Sequence, residues 1–156
     1  MKPITTEWVQ KAEEDFATLE LLWRQPRLVA PDVVCFHAQQ CVEKYLKARL
    51  QEAGLEFPKT HDLDKLLNLA RVVEPLWDSW RARLSLLTDY AVESRYPGDT
   101  AGKEEVRRAV ATCREFRLAA RRTFGLEPPE RGQTELRVRE KKARYHTRRS
   151  QSKRKP

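Results

Sequence analysis

Residues 31–54 read PDVVCFHAQQCVEKYLKARLQEAG, a proline that suits the first turn of a helix, then no glycine or proline until Gly54. Projected at about 100° per residue, Val34, Ala38, Cys41, Tyr45 and Ala48 share one arc, and Cys35, Val42 and Leu46 widen it. The spacing predicts a long helix over Asp32–Ala53 with that arc in the core. Arg49 falls within the arc with no partner legible in the sequence. Beside it runs a polar stripe of His37, Gln40, Lys44, Lys47 and Gln51, spaced by three and four. Such a stripe either offers imidazole, amide and ammonium groups to an anionic ligand or is a solvated helix face, and by itself the pattern favours the second.

The same period recurs on both sides. Thr5 or Thr6 can cap a first helix carrying Val9, Ala12, Phe16, Leu19 and Trp23, ending near Gln25 before Pro26. Thr60 or Asp62 can start a short third helix with Leu63, Leu66, Leu67 and Ala70, which Pro75 interrupts or restarts. A fourth follows through Leu76, Trp77, Trp80, Leu84, Leu87 and Ala91, and dies at Arg95-Tyr96-Pro97-Gly98. The fifth starts after Asp99 or Thr100, with Glu104 and Glu105 against its dipole and Val106, Ala109, Cys113, Phe116, Ala120 and Phe124 on one face. Gly125 and Pro128-Pro129 close it. No window alternates with period two and no hairpin dipeptide occurs. The expected fold is all-α: an up-and-down bundle of four main helices with the Leu63 helix as a short crosspiece.

A length of 156 residues suits one core. The formal charge of +8 suggests an anionic partner, but its distribution is uneven. Residues 127–156 hold eleven basic and four acidic side chains, net +7, while residues 1–126 are nearly balanced at +1. The tail has too few apolar residues for a core, so the domain is expected to span 1–126 and a basic, disordered tail 127–156. Within it Arg137, Arg139, Lys141, Lys142, Arg144, Arg148 and Arg149 either contact RNA or DNA phosphates or form a soluble terminus without a fixed partner.

No stretch approaches the length of a spanning helix, and MKPITTEW lacks the apolar segment of a signal peptide, so a cytoplasmic protein without membrane contact is expected. Cys35, Cys41 and Cys113 read as reduced, packed thiols. Cys35 points away from the His37–Cys41 pair on a helix, which argues against a metal site. Phosphate loops, nucleophile elbows and metalloprotease motifs are missing, and no cofactor or catalytic acid/base pair is expected. His61, at a helix start, can bind phosphate or cap and pack, the second being favoured. Arg95, at a helix end, suits a dipole partner or an anchor to Glu93 or Asp99.

The string Cys35-Phe36-His37-Ala38-Gln39-Gln40-Cys41-Val42-Glu43-Lys44-Tyr45-Leu46-Lys47-Ala48, then Phe57-Pro58-Lys59-Thr60-His61-Asp62-Leu63, then Tyr90-Ala91-Val92-Glu93-Ser94-Arg95-Tyr96-Pro97, resembles the HEPN domain (higher eukaryotes and prokaryotes nucleotide-binding). Trp8, Ala12 and Asp15-Phe16-Ala17 resemble its opening helix, so the likeness runs from Trp8 to Phe124 in one order. The resemblance implies a small helical bundle that dimerises and is often encoded beside a minimal nucleotidyltransferase, in a toxin and antitoxin-like pair. Ribonuclease members carry Arg and, after four to six intervening residues, His at the dimer cleft. Arg95 stands at the equivalent position, but Tyr96–Gly102 holds no histidine, and the spacing occurs only at Arg139 and His146 in the tail.

The resemblance therefore implies a nucleotide- or RNA-binding partner module more than an enzyme. Arg95 would contact phosphate, Lys44 add a second charge, Tyr96 offer a face to a base, and His37, Gln40 and His61 complete the surface. The alternatives are a ribonuclease toxin using noncanonical groups such as Arg95, His37 or His61, and a structural bundle whose faces pair with another chain.

Overall fold

The computed structural model describes residues 1–93 and 98–126. Helix α1 spans Pro3–Trp23, α2 Pro31–Ala53, α3 Leu63–Ala70, α4 Arg81–Glu93 and α5 Lys103–Thr123, with a 3-10 helix over Pro75–Trp80. No strand occurs among the described residues, and none of their helices is long and apolar enough to cross a membrane. Met1–Phe124 form one compact unit.

Helix α2 is the axis of this unit, packed by α1, α3, α4 and α5. All eight residues of its expected apolar arc are buried. Interhelical partners set the directions. Lys2 Nζ donates to the Gln51 carbonyl at 3.1 Å, so the start of α1 meets the end of α2. Glu20 takes Arg114 and Glu13 takes Arg117, so α5 runs against α1, while Arg83 on α4 reaches Glu115 on α5. The four main helices therefore alternate in direction, and α3 is the short extra piece.

Several boundaries differ from the sequence reading. Helix α1 begins at Pro3, whose missing N–H costs nothing in a first turn, and Thr5 is buried inside the helix instead of capping it. It ends at Trp23, two residues before Gln25. The expected fourth helix is split: Pro75 opens a tighter turn in which Trp77 N bonds the Glu74 carbonyl at 2.9 Å, and α-geometry starts only at Arg81. That change turns Leu76 outward, 86% exposed, while Trp77 packs on Phe116 at 5.0 Å between ring centroids. Trp80 also meets Phe116 edge-on, at 5.5 Å. Helix α5 starts at Lys103, where Glu105 reaches back to the Gly102 N–H at 2.7 Å. Of the two caps proposed for α3, Asp62 does the work, accepting from Lys65 N at 3.2 Å.

Arg49 finds its partner across the bundle. Its Nε donates to Glu74 Oε1 at 2.6 Å, tying the link before the 3-10 helix to α2. Gly54 ends α2 at φ 73°, a left-handed conformation that costs any residue with a Cβ. A Cβ there would meet only Lys2 Nζ, at 3.7 Å, so Gly54→Ala is expected to cost about 1 kcal/mol from backbone strain alone, read by urea denaturation. A loss several times larger would show a clash that the backbone does not contain.

Candidate functional site

The polar stripe of α2 is neither a solvated face nor a row of free cations. Each of its charged groups is held by a carboxylate, and two carboxylates organise it. Asp15 reaches over from α1, on the stripe that also carries Ala12 and Leu19 into the core. One of its oxygens lies 2.9 Å from His37 Nδ1, and the other accepts from Lys44 Nζ. His37 and Lys44 are two helical turns apart, so a single carboxylate can lie between them. The His37 ring also sits edge-on to Phe36, at 5.4 Å.

Glu43 is the second organiser and is 2% exposed. Lys47 Nζ donates to its Oε1 at 2.7 Å, while Gln39 and Gln40 donate to Oε2 at 3.1 and 3.0 Å. His61 Nδ1 lies 3.1 Å from the same Oε2. Gln39 also donates to the His61 carbonyl at 2.7 Å, so both backbone and ring of His61 are clipped to α2. Burial pushes the Glu43 carboxyl up, but the Lys47 hydrogen bond and charge, with the hydrogen bonds of His61 and Gln39, outweigh it and hold the group below its ordinary value. Lys47, only 7% exposed, lies 5.6 Å from the centre of the Trp8 ring, which is edge-on to Phe57.

This arrangement has a chemical consequence at His61. An ionised carboxylate only accepts, so Nδ1 is the donor in this bond and Nε2 is the ring nitrogen turned away from it. The His61 side chain is 73% exposed, so it does not pack, and the cap of α3 is Asp62. His37 has the same Nδ1-to-carboxylate bond in a less exposed setting. The charges of Lys44 and Lys47 are matched by Asp15 and Glu43, so what the stripe offers outward is oriented hydrogen-bonding groups with little net field.

A separate set of ion pairs closes α5 onto α1. Glu13 accepts from Arg117 at 2.8 and 2.6 Å and from the Tyr45 hydroxyl, and it forms an ion pair with Arg121 at 3.2 Å. Burial pushes the Glu13 carboxyl up, and Arg117, Tyr45 and Arg121 more than reverse it. The Tyr45 hydroxyl is driven up by burial and by the Glu13 carboxylate, so it remains a donor. The Cys35 thiol is pushed up to about 12, chiefly by burial, and Cys41 is also driven up by burial, beside Cys113. All three cysteines are buried thiols.

Of the residues expected to form a site, the structure brings His37 and Lys44 together on Asp15, and Gln40 and His61 together on Glu43. Arg95 and Tyr96 lie outside the described residues, as do Arg137, Arg139, Lys141, Lys142, Arg144, Arg148 and Arg149. Sequence reasoning missed the organisers. Asp15 occupies an apolar-stripe position three residues after Ala12, and Glu43 stands four residues from both Gln39 and Lys47, a spacing that marks side-chain partners on a helix.

The family model described as HEPN domain matches residues 5–123. Comparison with curated proteins and with solved structures gave no match.

Proposed function

The chain belongs to the HEPN domain family, a nucleotide- and RNA-related family, and from that premise we propose that it is a nucleotide- or RNA-binding partner module. It would act as a homodimer beside a minimal nucleotidyltransferase in a two-component, toxin and antitoxin-like system. The observation that supports a binding role is the pair of carboxylate-anchored imidazoles. The bonds to Glu43 and Asp15 hold the His61 and His37 rings in fixed orientations, and a side chain held in this way loses less entropy when a ligand binds. In this reading Arg95 supplies the phosphate contact, Tyr96 the stacking face, and Lys44, Gln40, His37 and His61 the polar edge.

Arg95→Ala and His61→Asn in the full chain are expected to weaken binding of a single-stranded RNA or a nucleotide about tenfold each, the loss of one good polar contact. Calorimetric titration measures this, and affinities unchanged in both variants would refute the assignment. The exposed His61 paired with buried Glu43 is also the geometry a general base needs, which is the one observation favouring a ribonuclease. Incubating the purified protein with RNA separates the two readings, since cleavage that disappears in His61→Asn would favour the enzyme.

A further inference from the structure

The cations of the α2 stripe are held by buried carboxylates, whereas Arg83 and Arg108, beside a second concavity, pair with Glu115 and Glu104 only at the exposed surface, where a ligand anion can replace the carboxylate. Between α4 and α5 lies a groove of about 240 Å³, lined by Arg83, Leu86, Leu87 and Tyr90 on one side and by Arg108, Ala109, Ala111 and Thr112 on the other. It exists because α5 presents alanines at 109 and 111 opposite the leucines of α4, so the two antiparallel helices leave a gap that larger side chains would fill.

We infer that this groove binds one nucleotide, with the base against Tyr90 and the leucine floor and the phosphate between Arg83 and Arg108. The inference rests on the nucleotide-binding reading above and gives it a site apart from the α2 stripe. The volume lies just below the roughly 300–1,000 Å³ of sites that enclose drug-sized ligands, so it suits a single base with its phosphate at the rim. The buried Leu87 and Ala109 give the groove an apolar floor, the Tyr90 ring a π-face, and Arg83 and Arg108 line it as well.

Arg83 is already positioned. Its guanidinium lies over the Trp80 ring at 4.9 Å, its Nε donates to Thr112 Oγ1 at 3.3 Å, and its NH1 pairs with Glu115 at 2.7 Å. Arg108 is held more loosely, with Nε 3.6 Å from Glu104 and a side chain 62% exposed, so it can swing onto a phosphate at little cost. A planar, permanently charged group fixed at one edge and a mobile one at the other is a workable clamp for a phosphate.

The same ligand chemistry can come from a free nucleotide or from one nucleotide of an RNA strand. The test titrates the full chain by calorimetry with adenosine 5′-monophosphate, with adenosine, and with a short single-stranded oligoadenylate. It repeats the titrations with Arg108→Glu, which changes an exposed side chain, and with Ala111→Trp, which fills the groove. Circular dichroism checks that both variants fold.

Binding of the monophosphate about tenfold more tightly than adenosine, weakened tenfold or more in both variants, supports the groove and a free nucleotide. The same pattern seen only with the oligonucleotide supports the groove and an RNA strand. Binding that both variants leave unchanged while His61→Asn or Arg95→Ala weakens it overturns the groove and keeps the nucleotide-binding reading. Absence of binding by every probe overturns both.

Discussion

Glu43→Ala is expected to destabilise the bundle by about 3–5 kcal/mol, the cost of removing one partner from a buried ion pair. Lys47 would keep its charge inside the protein without a counterion, and the donors of Gln39, Gln40 and His61 would lose their common acceptor. The stranded ammonium dominates, because the Gln39 amide still has the His61 carbonyl and the Gln40 amide still has Gln39 Oε1, whereas Lys47 is almost fully enclosed. Urea denaturation reads the loss as a lower midpoint at constant slope. Replacing both partners, Glu43→Leu with Lys47→Met, removes the uncompensated charge and is expected to recover most of it. A loss below about 1 kcal/mol in the single variant would mean the network contributes no more than a surface pair.

The same pair makes stability pH-dependent. The folded-state pKa of Glu43 lies below its unfolded value, so its contribution is complete above the ordinary carboxylate range, near 4.5, and fades as pH falls through the folded value. Glu13 and Glu20 shift in the same direction, Glu13 through Arg117, Tyr45 and Arg121 against burial, and Glu20 chiefly through the hydrogen bond from Arg114. Acidification should therefore loosen α5 from α1 and the His61 segment from α2 together, and Glu43→Ala should show a shallower acid slope than the native chain.

Removing residues 127–156 is expected to have the largest effect on RNA binding. If Arg137, Arg139, Lys141, Lys142, Arg144, Arg148 and Arg149 each meet a phosphate, single-strand counterion release gives them a log–log salt slope of about −5. That corresponds to roughly a thousandfold loss of affinity between about 50 and 200 mM salt. The shortened chain, with a nearly neutral body, should bind far more weakly at low salt and be almost insensitive to it. Fluorescence anisotropy over a salt series measures both quantities, and equal slopes with and without the tail would show that these cations touch no RNA.

The fold was legible because its signals are local. Apolar positions at three- and four-residue spacing located each α-helix among the described residues, and the apolar arc of α2 from Val34 to Ala48 is buried. What escaped were features that depend on neighbours distant in sequence. The periodicity of Leu76 to Ala91 gave no sign that Pro75 would impose a tighter turn and expose Leu76. Arg49 looked misplaced because Glu74, its partner, is 25 residues away.

The stripe of α2 was correctly located but its electrostatics were not. Counting Lys44 and Lys47 as available charge ignored Asp15, whose place beside Ala12 and Leu19 put a carboxylate in the core, and Glu43, one turn from Lys47. The likeness to HEPN domains, carried by the string from Cys35 to Ala48, the Thr60-His61-Asp62 turn and the segment ending at Pro97, agrees with the family match.

Binding of nucleotides or RNA by this bundle and its basic tail is the function proposed for the chain. Its most direct test is a titration of the intact chain with single-stranded RNA and with a nucleoside monophosphate at low salt, followed by calorimetry. The account predicts saturable binding of at least one of them, with the RNA affinity falling steeply as salt is raised. Absence of heat and of any complex with either ligand would contradict it.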